Sequence, residues 1–484
     1  MGTGRQIGEW GGRVTLTVTL TLTVRRNHPK HFIAPYVSHT MAPAFESYAN
    51  LTDVSGAGGN TTLQGYTVME VVNYMLDPIL RGMDQALQLN GRVELRPLIP
   101  KYVFFRLGLG MLRPHRVDDI WDKTSLNENA YLARLLSRQE YYDMVRFCKG
   151  NIQTVMEWCN ETWAQGWTLG AAATGDETIV PFKGKRAGQL RQFVPRKPHS
   201  TGLKLYCLAD SVHAYTTSVY LYTGRRGIMR HASSASGRNT PAEMMHRWAD
   251  ELPEGTTIIA DSFFGTLSVA AGLHARGIPF LLLTKRNTPG VQALGAGSRP
   301  GEARTTVTPE GYHLGTYRNP KVGGKAARLV PFLTNCSFDN APVRHLRGYT
   351  IPRMVYAYRQ LCGGVDTANQ LSLQHREVGR CSTWAQALRH FLIRYAVTNA
   401  FATCRVLDLV PQKETLRAFQ WVCMKAICGQ PMVKQVVTHE QLHVPIVSAK
   451  RGRCANCQTG NSQWRCSGCG RTLHVKCFAQ YHGI

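Results

Sequence analysis

The last thirty-odd residues hold Cys454-x2-Cys457, then Cys466-x2-Cys469, then His474-x2-Cys477, with His482 close behind. A two-residue separation lets a tight turn aim both side chains at one ion. Thiolate and imidazole ligands in such pairs are what tetrahedral Zn²⁺ takes. Seven ligands exceed one site and two sites need eight. His443, in Leu442-His443-Val444-Pro445, is the candidate for the eighth. The spacing points to a small cross-brace module with two interleaved Zn²⁺ ions, in the general style of RING and PHD fingers, and leaves the pairing of ligands open. A disulfide knot would require an oxidising compartment. The cysteines outside this tail, such as Cys148, Cys207 and Cys423, show no framework spacing and read as buried thiols of an intracellular protein.

A second set is acidic. Asp176 stands at the start of the short strand Glu177–Phe182, Asp261 ends the apolar run Thr256–Ala260, and Asp366 heads a long helical stretch. Carboxylates from three separate elements can hold two Mg²⁺ or Mn²⁺ ions about 4 Å apart. Such a pair activates an attacking water or hydroxyl and stabilises a leaving oxygen on phosphorus. Spacing alone is a weak signal, because other aspartates, Asp210 among them, also follow apolar runs.

These residues need a scaffold. From about Thr67 to Gly150 apolar residues recur three and four apart, as in Val68–Leu76 and Ala130–Leu136, and Ser137 with Glu140 forms a capping box. The centre changes character. Leu203–Asp210 and Tyr215–Tyr222 are β-rich runs joined by a turn, a helix starts at Thr240-Pro241, and strand, helix and strand follow to Leu283. Residues 287–325 are rich in Gly, Pro and Thr and read as an inserted β or loop segment. The later helix places Leu388, Phe391, Leu392, Tyr395 and Val397 on its buried side. Val14 to Val24 alternates apolar residues with threonine, a strand pattern with no evident partner.

Charge indicates the partner. There are 57 Lys+Arg against 31 Asp+Glu in 484 residues, a formal net charge of +26. A chain this basic accumulates on polyanions, and nucleic acid is the commonest one. The sequence carries neither an apolar run of membrane-spanning length nor a basic amphipathic helix, so no membrane partner is expected. Lys183, Lys185, Arg186, Arg196, Lys197 and Lys204 crowd the segment after Asp176, and Lys285 and Arg286 follow a later strand. Beside a metal site acting on phosphorus, they are expected to contact the phosphates of a nucleic acid, double-stranded DNA under the resemblance described next.

The residues around the aspartates resemble those of a known family. Gly175-Asp176-Glu177-Thr178-Ile179-Val180-Pro181-Phe182-Lys183-Gly184-Lys185, continued by Arg191–Pro198 and Gly202-Leu203-Lys204, resembles the first catalytic motif of piggyBac-type transposases. Ile259-Ala260-Asp261-Ser262-Phe263-Phe264 is similar to the second motif. Gly363-Gly364-Val365-Asp366-Thr367-Ala368-Asn369-Gln370 is similar to the third, and Trp384 and Asn399-Ala400 fit the helix after it. Leu208-Ala209-Asp210-Ser211 resembles an intervening strand whose Asp is not catalytic. The tail resembles the family's cysteine-rich domain.

The resemblance implies a nuclear enzyme that moves a DNA element by cut-and-paste at TTAA sites, acting on the element's ends as a homodimer. It implies an α/β fold with a ribonuclease H-like catalytic core. Asp176, Asp261 and Asp366 would be the metal-binding triad, and the zinc module would read the element's end. The family usually carries a fourth Asp where this chain has Asn369, which on a helix faces the same site as Asp366 and lacks its charge. A domesticated, catalytically weak or inactive DNA-binding protein is the alternative. A chromatin-reading zinc module would leave the central motifs unexplained.

The organisation expected is a first segment, residues 1–60, that is poorly ordered or wrongly assigned to the protein. A helical dimerisation and DNA-binding domain follows over 61–165, then the first part of the core over 166–285. An insertion over 286–345, a helical second part over 346–435 and the zinc domain over 436–484 complete the chain.

Overall fold

A computed structural model describes residues 58–122, 130–195, 197, 199–224, 240–320, 327–336, 342–344, 350–374, 381–427, 445–466 and 471–482. The alternating stretch Val14–Val24, Arg196, His443 and Cys469 lie outside the described residues, as do the side chains of Arg186 and His482.

The first described strand, β1 (Asn60–Thr61), pairs with β2 (Trp167–Thr168). Between them run α1 (Val68–Leu89), α2 (Ile99–Leu112), α3 (Ala130–Leu135), α4 (Arg138–Phe147) and α5 (Ile152–Gln165). Two of these helices begin with reciprocal capping boxes, Thr67 with Glu70 and Ser137 with Glu140, the second as the sequence predicts. Val71, Val72, Met75, Leu76, Ile79 and Met83 form the buried stripe of α1.

A mixed sheet follows. Its strands are β3 (Ala172–Pro181), β4 (Arg191–Phe193), β5 (Thr201–Asp210), β6 (Thr216–Leu221), β7 (Thr257–Ala260) and β8 (Phe280–Leu283). The antiparallel strands β3, β5 and β6 lie to one side, and β7 and β8 continue from β3 in parallel. In spatial order the five run third, second, first, fourth, fifth, the arrangement of a ribonuclease H-like core. Helix α6 (Pro241–Glu251), capped by Thr240 with Pro241 at its first position, and helix α7 (Leu267–Ala275) flank the parallel strands.

The segment read as an insertion joins this same sheet. After α8 (Val291–Gly295), strands β9 (Ala303–Val307), β10 (His313–Arg318) and β11 (Leu329–Thr334) form a meander. Its last strand pairs with β8, Phe332 opposite Leu283, so the sheet grows to nine strands. A short hairpin of β12 (Pro342–Arg344) and β13 (Thr350–Pro352) leads to α9 (Arg353–Leu361), α10 (Gly364–Gln374), α11 (Trp384–Val406) and α12 (Leu416–Ile427).

Helix α11 differs from its sequence pattern. Every residue from Ala387 to Cys404 is buried, where periodicity predicts a single buried face. It is the central helix of the α layer, packed on α1, α5 and α12 as well as β3, and a helix enclosed on all sides shows no amphipathic stripe. Asn399 ties it to the sheet: its Oδ1 accepts from Thr216 N (2.9 Å) and its Nδ2 donates to Thr216 O (2.8 Å). The tail contributes β14 (Pro445–Arg453), β15 (Asn461–Cys466) and α13 (Val475–His482), with a small cluster of its own around Cys454, Cys466, Leu473, Cys477 and Phe478. Among the described residues no helix is long and apolar enough to cross a membrane.

Strand β3 begins at Ala172, earlier than the apolar pattern indicates, so Asp176 sits in mid-strand and not at the start. Ala172-Ala173-Thr174-Gly175 carries no large apolar side chain and gives no alternation to read. Gly175 is required here: a Cβ would come within 2.3 Å of the Trp248 ring, which is wholly buried. Gly175→Ala is therefore expected to cost about 1–3 kcal/mol through overpacking. Urea unfolding checks this, and an unchanged midpoint would mean that the ring moves aside freely.

Candidate active site and zinc cluster

Two of the three aspartates stand side by side where β7 ends against β3, and the third comes from a helix. In the parallel register of β3 with β7, Gly175 is opposite Ala260, so Asp176 and Asp261 each follow a paired residue on adjacent strands. Neighbouring strands are about 4.8 Å apart. Asp261 begins the turn after β7: its Oδ1 accepts from Phe263 N (2.8 Å) and its carbonyl from Gly265 N (3.0 Å). Phe264, fully buried, anchors that turn with its ring 5.2 Å from Trp248 and 5.8 Å from Tyr206. Phe263 remains exposed beside the site.

Asp366 arrives on the first turn of α10, which packs on β3 and β5. Gly364 permits the approach, since a Cβ there would meet the Asp210 carbonyl at 2.7 Å and Thr174 Oγ1 at 3.2 Å. Asn369, one turn on, faces the same strand. Its Oδ1 accepts from Tyr395 Oη (2.6 Å) and from Thr178 Oγ1.

Electrostatics join these groups. Burial pushes the Asp176 carboxyl up to about 8; Lys197 opposes the shift, and Glu177, Asp366 and Asp261 add to it. Burial works against the charge of Lys197, yet Asp176, Glu177, Asp366 and Asp261 together hold that amine above its usual range. Lys197 Nζ lies 3.7 Å from Glu177 Oε1 and donates to the Glu177 carbonyl. The charges of Asp176, Asp261 and Asp366 thus act on one another, with the ammonium of Lys197 beside them.

The basic residues separate into two groups. Lys183, Lys185, Lys285 and Arg286 are exposed. Lys204 is not: it is 8% exposed, with its Nζ 3.9 Å from the Phe263 ring centroid, 5.0 Å from Tyr206 and 5.7 Å from Tyr222. Glu177 Oε2 is 3.9 Å away, and burial draws the Lys204 amine below its usual range. This lysine, read from sequence as a phosphate contact, is enclosed by aromatic faces, because its strand position turns it into the sheet's packing. Sequence reasoning missed Glu177, Thr178 and Tyr395. A charged residue in mid-strand was the one available signal for Glu177. Asp210, fully buried, accepts backbone N–H groups from Gly59, Val212 and His213 and so organises loops away from the triad.

In the tail, one ligand atom each from Cys454, Cys457, His474 and Cys477 lies within 4.8 Å of the others. The first and third ligand pairs thus converge, as an interleaved module requires. Hydrogen bonds from Thr459, first from its hydroxyl at 3.1 Å, lower the Cys457 thiol to about 7, nearer the thiolate that Zn²⁺ takes. Every cysteine among the described residues is free of disulfides. Cys466 is buried close by.

Residues 99–401 match the family model described as Transposase IS4. The human PiggyBac transposable element-derived protein 3 is 22% identical over 345 residues, covering 63% of this chain and 54% of that protein. The human Chimeric ERCC6-PGBD3 protein is equally similar over 30% of its length. The chain spans about half the length of the first of these relatives. Among solved structures, the piggyBac transposase in a synaptic complex with hairpin DNA superposes with a TM-score of 0.61 at 17% identity, over 86% of this chain and 98% of that one.

Two outcomes are expected. The folded pKa of Asp176, about 8, exceeds the ordinary 3.8, so between these values the folded state holds the extra proton. Stability of the chelated protein should therefore fall as pH rises from about 4 to about 8, and Asp176→Asn should flatten that slope. Urea unfolding across the range tests this, with equal slopes in both proteins as the contrary result. Cys457→Ser should lower the zinc content of the full chain by one equivalent, measured by atomic absorption, and expose the tail to protease. Unchanged zinc would show the four-residue cluster to be a coincidence of packing.

Proposed function

The chain belongs to the piggyBac-type transposase family, and from that premise we propose that it cuts and rejoins DNA, excising an element and inserting it at TTAA sites. The observation that supports this reading is that Asp176 and Asp261 follow paired residues on adjacent parallel strands while Asp366 stands on a helix packed on the first of them. Bound there, two Mg²⁺ or Mn²⁺ ions would supply the charge that activates an attacking hydroxyl and stabilises the leaving oxygen. The chain's own residues bind and orient. The three carboxylates hold the site, and Asn369 keeps its carbonyl oxygen on Tyr395 and Thr178. Lys183, Lys185, Lys285 and Arg286 are placed to take phosphates of the DNA backbone, a salt-sensitive and sequence-independent contribution.

In this reading the Cys454–Cys457–His474–Cys477 cluster holds one Zn²⁺. Cys466, Cys469, His482 and His443 hold a second, and the module reads the element's end. The partners are double-stranded DNA and a second copy of the chain, in the nucleus. The uncharged Asn369 supports a second reading, a domesticated protein that binds DNA without cutting it.

Nicking of a matched element end separates the two. Under the first reading the full chain nicks in Mg²⁺ or Mn²⁺. Asp261→Ala then abolishes nicking, a loss of at least about a thousandfold if the charge clamp supplies several kcal/mol, while leaving DNA binding in place. A gel-based nicking assay beside a binding titration checks this, and robust nicking by Asp261→Ala would sink the assignment.

A further inference from the structure

Thr174, Asp176 and Thr178 alternate along β3 and face one side of the sheet. Both threonines are bonded to the segment that carries Asp366. Before the aspartate, Thr174 Oγ1 donates to the carbonyl of Leu361, the last residue of α9, at 2.7 Å. After it, Thr178 Oγ1 donates to Asn369 Oδ1 in α10. Asp366 lies in the chain between Leu361 and Asn369, so two hydroxyl clasps bracket the Asp176–Asp366 pair. Tyr395 Oη, from α11, adds a second bond to Asn369 Oδ1 at 2.6 Å. That tyrosine is 0% exposed, so water cannot replace its bond. An amide oxygen has two lone pairs, and these two hydroxyls use both.

We propose that Thr178 and Tyr395, acting through Asn369, are positioning residues that fix the first turn of α10 against β3 and so set the spacing of Asp176 and Asp366 for a divalent cation. Asn369 then serves the site as a neutral strut and not as a ligand. An amide gives both hydroxyls an acceptor without adding a fourth negative charge to three crowded carboxylates. The inference rests on the metal-binding reading of the triad.

Its test is Mn²⁺ binding by the full chain, followed through the free-ion paramagnetic resonance signal, with unfolding curves to confirm that each variant folds. The wild type should bind Mn²⁺ in a manner lost in Asp261→Ala. Thr178→Val, which keeps the shape and removes the donor, should weaken that binding about tenfold, the usual scale for a group that orients a ligand. Thr178→Ser should restore it, and Tyr395→Phe should weaken it independently. Folded Thr178→Val and Tyr395→Phe proteins that bind Mn²⁺ as the wild type does would overturn the clasp while leaving the metal reading intact. A wild type that binds no better than Asp261→Ala would overturn the metal reading itself, and the inference with it.

Discussion

The charges of Asp176, Asp261 and Asp366, from strand β3, the turn after β7 and a helix, act against one another, and much of the surrounding architecture offsets that repulsion. The chain cannot relax by separating them, because β3 and β7 are bonded in register and α10 is pressed onto β3 at Gly364. Local devices oppose the strain. Lys197 supplies the nearby positive charge, Phe264 pins the Asp261 turn into an aromatic cluster, and hydroxyls from Thr174 and Thr178 hold the helical segment on the strand. In the proposed reading a cation would complete the site these contacts frame.

What was legible in the sequence follows from how local each feature is. Asp261 could be placed because a short apolar strand ends on it, and the box at Ser137 and the helix start at Thr240-Pro241 because capping is a matter of a few residues. Asp176 was misplaced within its strand because Ala172–Gly175 is small-sided, and its smallness answers to Trp248 on a distant helix. Strands β9 and β10 carry Thr, Arg and Gly and read as a β or loop insertion, since their membership of the main sheet depends on β11 meeting β8. Helix α11 lost its periodicity through complete burial. The clasp on Asn369 joins residues from β3, α10 and α11, and no short window of sequence contains it.

Net charge points to a polyanion but not to which cations would meet it. Lys183 and Lys204 lie in one basic segment, yet the first is exposed and the second is buried against three rings and Glu177. A lysine amine against aromatic faces, partly desolvated and paired with a buried carboxylate, contributes to packing and holds Phe263 in place beside Asp261. Removing it would disturb the site from beneath, a different effect from removing a phosphate contact, which would act mainly through salt-dependent affinity.

The two proposed metal centres stand in opposite relations to their scaffolds. Around the aspartates, a nine-stranded sheet and a fully buried helix exist independently of any ion, and the ion is a guest whose place has been set. In the tail, the small cluster consists of Cys454, Cys466, Cys477, Leu473 and Phe478, so three of its five buried members are themselves thiols of the ligand pairs. A segment of that size has too little apolar surface to fold on hydrophobic burial alone. The ion there would replace the core, which makes loss of zinc a folding event and loss of magnesium a chemical one.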